Sequence, residues 1–140
     1  MKKTSVLDAN ICYLSKNRFD RGSITSVNND IEIPFQIKRV YYLYDVPCGV
    51  ERGGHAHKKL HQFITALSGS FDLILDDGNM RRSINLNSPN VGVYIPPGLW
   101  RDLNNFSSGT IVVVLASDIY SEDDYIRMYE QFVTWKKINL

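Results

Sequence analysis

The sequence predicts an all-β sandwich or barrel that is completed by one C-terminal helix. Short runs of β-branched and aromatic residues recur along the chain, and turn signals rich in Gly, Pro, Asn and Asp separate them at close intervals. Only the segment after Ser121 shows apolar residues at helical spacing. The length of 140 residues, 44% of them hydrophobic, suits one domain over residues 1–140. We place its β-core at about residues 20–117 and its helix at about 121–135.

The first half of the chain predicts two strands before a glycine-rich stretch. An Asp-Arg-Gly-Ser run is a turn signal that leads into a strand at residues 24–27. Residues 37–44 are rich in aromatic and branched residues with partial alternation, which predicts a half-buried strand. Arg39 and Tyr41 share one face of this strand because side chains alternate along an extended backbone. A Pro-Cys-Gly sequence at residues 47–49 ends it.

The second half predicts a series of short strands. Residues 62–67 and 71–75 flank a Ser-Gly-Ser sequence and predict a hairpin. An Asp-Asp-Gly-Asn turn then leads into a strand at 80–86, which predicts a second hairpin. Strands at 91–95 and 111–116 follow, and the second of these is so continuously apolar that it belongs in the core.

The last segment has the pattern of an amphipathic helix. Ser121 is a suitable N-cap, and three acidic residues follow it in the expected first turn. Aromatic and aliphatic residues repeat at helical spacing from Tyr125 to Val133. We expect this stripe to pack on the β-core rather than to bind a cofactor.

Charge, hydropathy and cysteine content indicate which partners and which compartment to expect. A formal net charge of +1 without a basic stripe gives no reason to expect binding to nucleic acid or to an anionic membrane. No apolar run is long enough for a signal peptide or a membrane span. Cys12 and Cys48 cannot build a disulfide framework or a zinc finger, and unpaired thiols suit a reducing compartment. We therefore expect a cytoplasmic protein.

A histidine pair after the glycine-rich stretch predicts a binding pocket. His55 and His57 are separated by one residue, so both project from the same face of a strand and can contact one small molecule. Arg52, Lys58 and Lys59 surround the pair and favour an anionic ligand.

Two motifs resemble those of the cupin superfamily. The first is Gly49-x5-His55-x-His57 with a later Gly69, and the second is Pro96-x-Gly98-x2-Arg101-x3-Asn105. The resemblance implies a cupin jelly roll, or double-stranded β-helix, over about residues 37–116. Cupin metal sites add a Glu to the first motif and a His to the second. His61-Gln62 and Arg101 stand at these places, so we expect no metal, although His61 is a possible substitute ligand.

A finer pattern narrows the resemblance. The matching segments are Ile37-Lys-Arg-Val-Tyr-Tyr, Arg52-Gly-Gly-His-Ala-His-Lys-Lys, Leu75-Asp-Asp-Gly, Leu115-Ala-Ser-Asp and Asp124-Tyr-Ile-Arg. Together they resemble the sugar 3,4-ketoisomerases that act on dTDP-4-dehydro-6-deoxyglucose. The resemblance implies an isomerase without metal or cofactor that supplies 3-keto sugars for surface glycans. It also implies a homodimer with exchanged N-terminal strands, and it leaves open whether the product is galacto or gluco.

Moving the ketone from C4 to C3 requires proton transfer through an enediol, and this reaction assigns roles to the histidines. Histidine can accept and donate a proton near neutral pH. By resemblance we assign the proton shuttle to His57, with His55 as its partner at the sugar oxygens, and the reverse order stays open. Tyr41 and Arg39 are candidate donors to the enediol oxygen.

The diphosphate of such a substrate requires cations, and arginine can bind phosphate oxygens with two parallel hydrogen bonds. The candidates for nucleotide-sugar binding are Arg21, Arg39, Arg52, Arg101 and Trp100. Trp100 has two equally weighted roles, either covering a ring of the ligand or filling the barrel.

Three other functions compete with the isomerase. A dTDP-sugar 3,5-epimerase also removes a proton beside the C4 ketone, a metal-dependent cupin oxygenase has a similar fold, and a sugar-binding cupin would bind without turnover. No DNA-binding helix-turn-helix accompanies the barrel. This makes the third alternative, a sugar-sensing cupin without turnover, less favoured than an enzyme.

Overall fold

The computed structural model describes residues 3–139, and ten of the strands in this range form two five-stranded antiparallel sheets. The ends of the expected domain, residues 1–2 and 140, lie outside the described part. In chain order the strands are β1 (Asn10–Tyr13), β2 (Asn17–Phe19), β3 (Gly22–Ile24), β4 (Arg39–Leu43), β5 (Arg52–His57), β6 (Gln62–Ser68), β7 (Phe71–Asp76), β8 (Arg81–Leu86), β9 (Val91–Ile95), β10 (Trp100–Asn104), β11 (Ile111–Ala116) and β12 (Tyr125–Ile126). The helix α1 spans Tyr129–Ile138, and two 3-10 turns span Val6–Asp8 and Glu122–Asp124.

The strand order places the core between the two large sheets. The first sheet has the order β1-β9-β6-β11-β4 and the second has the order β12-β5-β10-β7-β8, while β2 and β3 form a separate two-stranded sheet. Ile64 and Val112 of the first sheet join Leu73, Leu75 and Leu103 of the second in one buried apolar cluster. The inner face of each sheet is apolar, and burial of these two faces against each other is the main stabilising term. The predicted all-β architecture with a C-terminal helix is confirmed.

The predicted hairpin of residues 62–67 with 71–75 is wrong. β6 pairs with β9 and β11 in the first sheet, whereas β7 pairs with β10 and β8 in the second. The connection at Gly69 therefore carries the chain from one sheet to the other. A short glycine turn is compatible with a hairpin and with a connection between two sheets. Burial of the apolar faces of β6 and β7 in the common core favours the connection between sheets. The predicted hairpin of β7 with β8 is confirmed.

The predicted strand at residues 24–27 is also wrong. Ile24 ends β3, which pairs with β2, and residues 25–28 have no regular structure. Val27 packs instead against a second apolar cluster that contains Leu14 and Phe63. A segment of β-branched residues becomes a strand only where a neighbouring strand is within hydrogen-bonding distance.

The C-terminal helix begins at Tyr129, later than the expected start at Ser121. Residues 122–124 form a 3-10 turn, and Tyr125–Ile126 pair with β5 as strand β12. These tertiary hydrogen bonds replace the first two helical turns that the acidic N-terminal pattern predicts. The expected packing of the aromatic stripe on the β-core is confirmed, since Phe132 is fully buried against Trp100.

Among the described residues, no helix has the length and hydropathy that a membrane span requires.

Strand β4 confirms the predicted faces. Arg39 and Tyr41 on one face are half-buried, whereas Val40 and Tyr42 on the other face are exposed.

Candidate active site

A β-bulge sets the direction of the histidine pair at the end of β5. The register between β5 and β10 shifts between Arg101 and Leu103, which marks the bulge. Gly53 in the bulge has φ +79°, and a Cβ at this position would lie 2.5 Å from Cδ1 of the buried Leu103. Glycine is therefore required here. Beyond the bulge, His55 and His57 are only 8% and 4% exposed.

The two imidazoles are hydrogen-bonded to each other. Nε2 of His55 lies 3.1 Å from Nε2 of His57, and the ring planes are nearly perpendicular at 85°. A hydrogen bond between two imidazole nitrogens needs one protonated and one unprotonated nitrogen. The pair therefore shares one proton at this contact, as proton transfer requires.

Asp124 fixes the orientation of His57. Its Oδ2 lies 3.1 Å from Nδ1 of His57, and its carboxylate also accepts the backbone N–H groups of Lys59 and Leu60. An ionised carboxylate can only accept, so Nδ1 of His57 carries the proton. Nε2 of His57 is then an acceptor, and Nε2–H of His55 donates to it.

Burial keeps both imidazoles neutral. Desolvation is the largest cause that lowers the pKa of His55 and of His57 below the usual 6.5, and the Arg101 cation lowers both further. The carboxylate of Asp124 opposes this effect at His57, so the pKa of His57 falls less, to about 4. At neutral pH the pair is uncharged and His57 can act as a base.

Tyr125 covers the pair from strand β12. Its ring centroid lies 4.4 Å from that of His57 and 4.9 Å from that of His55. The Arg127 guanidinium lies over the same Tyr125 ring, 4.2 Å from its centroid, and Glu122 binds Arg127 through both of its carboxylate oxygens. The segment whose sequence pattern predicts a helix thus shields the histidines from solvent.

A buried guanidinium lies beside the histidines. Arg101 is 2% exposed; its Nη1 donates to Oε1 of Gln62, and its Nη2 donates to the Tyr41 hydroxyl at 3.3 Å. Gln62 also donates to the Tyr41 hydroxyl. Among the described residues no acceptor is bonded to Nε of Arg101. A buried cation with an unused donor is suited to stabilise negative charge on a ligand.

A cavity of about 180 Å³ opens next to His57. Its polar lining comes from the first sheet, the loop after β5 and the segment after β11; it includes Arg39, Lys59, Ser117, Asp118, Ser121 and Asp124. We call it the histidine cavity. Arg39 lies over the rings of Tyr41 and Tyr120, 4.6 Å and 5.4 Å from their centroids. This volume is below the roughly 300 Å³ of sites that enclose a drug-sized ligand, so it suits one sugar ring rather than a whole sugar nucleotide.

The structure brings together some of the predicted site residues and not others. Of the predicted residues, His57 and Arg39 line the histidine cavity. His55, Tyr41 and Arg101 do not line it, but His55 is hydrogen-bonded to His57, and Arg101 donates to Tyr41. The remaining predicted residues are Arg21, Arg52 and Trp100. Arg21 lies in the exposed turn between β2 and β3, Arg52 is exposed at the start of β5, and Trp100 packs under α1 against Tyr129 and Phe132. None of these three lines the histidine cavity.

His61 lies apart from the pair as well. Its Nδ1 is 2.7 Å from the Tyr94 hydroxyl, and its ring is stacked on Tyr94 beside Phe35. Within residues 3–139 no group of three or more His, Cys, Asp or Glu side chains is arranged to hold a metal ion. The idea that His61 substitutes for a cupin metal ligand therefore receives no support from its position.

Sequence reasoning misses Asp124 and Tyr125 as site residues. Both belong to a segment that carries the family resemblance, yet their charge and spacing are typical of the first turns of a helix. Gln62 stands out in the sequence only as the residue in place of a metal ligand. A strand β12 of two residues has no periodicity that a sequence could show.

Comparison with known families gives one match over nearly the whole chain. The family model described as "FdtA: WxcM-like, C-terminal" matches residues 7–137. The chain is 50% identical over 121 residues to the TDP-4-oxo-6-deoxy-alpha-D-glucose-3,4-oxoisomerase of Aneurinibacillus thermoaerophilus, and the aligned region covers 86% of this chain and 87% of that protein.

Solved structures give the same result. A 3,4-ketoisomerase from Helicobacter canadensis is 43% identical with a TM-score of 0.91, over 93% of this chain and 98% of that chain. A variant of the 3,4-ketoisomerase QdtA from Thermoanaerobacterium thermosaccharolyticum, solved in complex with TDP-4-keto-6-deoxyglucose, is 37% identical with a TM-score of 0.93, over 97% and 99% of the two chains. These likenesses confirm the predicted cupin-type fold and the predicted family resemblance.

Proposed function

The chain belongs to the family described as FdtA: WxcM-like, C-terminal, and on this premise we propose that it is a sugar-nucleotide 3,4-ketoisomerase. Its substrate is a dTDP-linked 4-keto-6-deoxyglucose, and its product is a dTDP-linked 3-keto-6-deoxyhexose. Half of the residues in the aligned region are identical to those of a relative named for this reaction. The observation in the chain itself that supports it is the hydrogen-bonded pair of neutral imidazoles beside a cavity lined by Arg39 and Lys59.

The proton transfers divide between the two histidines. When substrate binds, the Nε2–H of His55 turns from His57 to O4, which frees the Nε2 lone pair of His57. That nitrogen removes the proton from C3, the electrons of that bond form the C3–C4 double bond, and O4 takes the negative charge. His55 passes the proton of the O3 hydroxyl to O4. The carbonyl at C3 then forms from O3, and the electrons of the C3–C4 double bond take the proton that His57 returns to C4. One hydrogen moves from C3 to C4 and another from O3 to O4, so the reaction is balanced without a cofactor or metal.

The surrounding charges favour this sequence. Asp124 accepts from Nδ1 of His57 and stabilises the imidazolium that forms when the C3 proton is removed. Arg101 and the Tyr41 hydroxyl supply donors for the negative charge on the enediolate oxygen. Arg39 and Lys59 supply cations for the diphosphate at the edge of the histidine cavity. Because that cavity holds only the sugar end, the nucleotide lies outside it.

Incubation with dTDP-4-dehydro-6-deoxyglucose in deuterated water tests the function. NMR of the product should show the ketone at C3 and a hydroxyl at C4. A ketone that stays at C4 while C3 and C5 exchange would identify a 3,5-epimerase instead, and no change at any carbon would identify a binding protein. Added chelator should leave the rate unchanged; loss of activity would favour a metal-dependent cupin.

Two matched variants test the histidine roles. His57→Asn should bind thymidine diphosphate with nearly unchanged affinity and lose turnover by at least about 10²-fold, the usual contribution of a general base. His55→Asn should also lose turnover, yet should retain slow exchange of the C3 proton with solvent, because His57 can still remove it. Exchange retained in His57→Asn and lost in His55→Asn would reverse the two roles.

We also propose that the protein is a homodimer that forms through the outer face of the first sheet. Val40 and Leu67 on this face are 55% and 50% exposed, and they border an apolar groove of about 520 Å³ that continues along Phe63 and Leu115. An apolar sheet face of this kind commonly marks a protein interface. Val40→Asp with Leu67→Asp should give monomers in light scattering, whereas a wild type that is already monomeric would reject the proposal.

Exchange of the β2–β3 hairpin between the two subunits of a dimer would explain why Arg21 lies away from the histidine cavity of its own subunit. The β2–β3 hairpin forms a sheet of its own, and its Phe19 and Ile24 are exposed. In a dimer it would extend over the partner subunit and bring Arg21 to the partner's diphosphate. Co-expressed Arg21→Ala and His57→Asn subunits would then form heterodimers with one complete site, and activity should return. Activity no higher than in the two separate variants would place Arg21 outside the partner's site.

A cytoplasmic location is consistent with the free thiols of Cys12 and Cys48 and with a nucleotide-activated substrate. Cell fractionation of the source organism checks this location.

A further inference from the structure

A second cavity, separate from the active site, lies between α1 and the loop after β5. Its volume is about 420 Å³, and it is lined by Thr4, Lys58, Lys59, Trp135, Lys136 and Asn139 together with the Pro97-Gly98 turn. We call it the lysine cavity. Three ammonium groups border it, and no carboxylate is among its lining residues within the described part of the chain. Lys59 lines both the lysine cavity and the histidine cavity.

Lys136 is the unusual member of this group. Although it is a lysine, it is only 7% exposed. Its Nζ donates to the backbone carbonyls of Thr4 and Gly98, both at 2.5 Å. An ammonium has three N–H donors, and no acceptor among residues 3–139 is bonded to the third. The buried ammonium thus has a free donor at the wall of the cavity.

The charge of this ammonium is not compensated by contact. Within residues 3–139 no carboxylate lies within 4.0 Å of Lys136 Nζ; Asp77 and Asp8 act on it only from greater distance. Asp77 instead accepts the backbone N–H of Val6. Burial lowers the pKa of Lys136, which reflects the free energy of removing its charge from water. A buried cation without an ion partner is costly, and a bound anion would remove most of that cost.

The other polar groups of the lysine cavity fit the same ligand. Lys58 is exposed, and its Nζ donates at 3.2 Å to the backbone carbonyl of Asp123, which leaves further donors for the cavity. The Thr4 hydroxyl and the Asn139 amide add neutral donors beside it. A tetrahedral oxyanion offers several acceptor oxygens in a small volume and can use donors from all of these directions.

We propose that the lysine cavity binds a phosphate-type oxyanion, either free phosphate or the phosphate group of a small ester. The site is distinct from that of the sugar nucleotide and does not depend on the proposed function. It is nevertheless coupled to the active site through the backbone. The N–H of Gly98 donates to the carbonyl of His57 at 2.8 Å, and the N–H of Lys58 donates to the carbonyl of Asp124 at 3.0 Å. Ordering of the lysine cavity by an anion would therefore stiffen the supports of the His57–Asp124 pair.

Calorimetric titration with inorganic phosphate, at constant ionic strength set with chloride, tests the site. The full-length protein should bind one phosphate per chain in a saturable manner, and saturating thymidine diphosphate should leave this binding in place. Complete competition by thymidine diphosphate would assign the phosphate to the active site and overturn the proposal, as would absence of saturable binding. Parallel titration with glycerol 3-phosphate separates the two sources: equal or tighter binding points to esters, and binding of inorganic phosphate alone points to the free ion.

Variants identify the donors. Lys136→Met should abolish binding, and it should remove the rise in melting temperature that phosphate gives the wild type. Lys58→Ala should weaken binding about tenfold, as expected for loss of one charge-assisted hydrogen bond. Lys16→Ala, an exposed lysine outside the lysine cavity, is the matched control and should bind as the wild type does. If Lys136→Met does not fold, Lys58→Ala and Asn139→Ala carry the test, and unchanged affinity in both would reject the site.

Discussion

Nδ1 of His57 lies 3.1 Å from Oδ2 of Asp124, although the two residues are 67 positions apart in the chain. The same carboxylate also accepts two backbone N–H groups from the loop that follows β5. One side chain therefore fixes both the tautomer of the proposed base and the course of the chain beyond it. This relationship makes Asp124 the most informative position for mutation.

Asp124→Asn should lower kcat by about 10²- to 10³-fold and change KM little. With its carbonyl oxygen toward Lys59, the asparagine would donate from its amide to Nδ1 of His57, and the N–H of Leu60 would lose its acceptor. The ring proton would then move to Nε2, and the lone pair that accepts the C3 proton in the proposed mechanism would be lost, by the same tautomer argument that applies to Asp-His pairs in hydrolases. Steady-state kinetics measure this change. Asp123→Asn is the control and should keep wild-type kinetics, because the Asp123 side chain is exposed. A kcat for Asp124→Asn within about threefold of wild type would remove Asp124 from the mechanism.

The stability of the fold should decrease between pH 6.5 and pH 4. Burial lowers the pKa of His57 from 6.5 to about 4, so in this range the unfolded chain binds a proton that the folded chain does not. The stability contributed by the neutral ring is complete above pH 6.5 and is lost as the pH falls toward 4. Each pKa unit corresponds to about 1.4 kcal/mol, which gives a loss of about 3 kcal/mol for His57, before the further effect of His55.

Urea unfolding at several pH values measures this loss. His57→Gln should show a smaller decrease in the free energy of unfolding than the wild type between pH 6.5 and pH 4.5. His61→Gln removes a half-buried histidine and should change the slope less. Equal slopes for wild type and His57→Gln would show that the ring is not buried in its neutral form.

Arg101→Met should raise the pKa of both histidines. The Arg101 cation is the second-largest cause that lowers these pKa values, after desolvation, so its removal makes protonation of either ring easier. NMR titration of the free enzyme should show both transitions at higher pH than in the wild type. Arg52→Met removes an exposed arginine from the start of the same strand as the histidines and should leave the transitions in place. A shift of equal size in the two variants would contradict the proximity of Arg101 to the pair.

Alanine substitutions of two glycines before His55 distinguish the cost of backbone strain from the cost of overpacking. Gly49 and Gly53 have φ +84° and +79°, so alanine should cost about 1 kcal/mol of stability at either position. A Cβ at Gly49 meets nothing within 4 Å, whereas at Gly53 it would overlap the fully buried Leu103. Gly53→Ala should therefore lose a further 1–3 kcal/mol, roughly the cost of overpacking, and should also lower kcat because the bulge directs the histidines. Chemical denaturation compares the two variants. Equal losses of stability would mean that the bulge relaxes without cost.

Much of the fold and part of the site follow from local sequence. The β-runs, the β7–β8 hairpin and the faces of β4 rest on a period of two, which is a property of any extended backbone. The same period places His55 and His57 on one side of β5, so their spacing alone predicts that the two rings can contact one ligand. Glycines with positive φ likewise mark the turns and the bulge, since other residues are strained there.

Contacts between distant segments decided the sheet to which β6 and β7 belong, the start of α1 and the neighbours of the histidines. β6 and β7 are separated by two residues, yet they enter different sheets because each has an apolar face to bury in the common core. The acidic segment before α1 has helical propensity, but Asp124 gains hydrogen bonds to His57 and to the loop after β5, and Tyr125–Ile126 pair with β5. Propensity differs by only tenths of a kcal/mol per residue, so a few tertiary hydrogen bonds outweigh it. The sequence by itself determined which strand carries the two histidines, while the tertiary structure decided which carboxylate, guanidinium and aromatic ring surround them, because those neighbours are set by long-range packing.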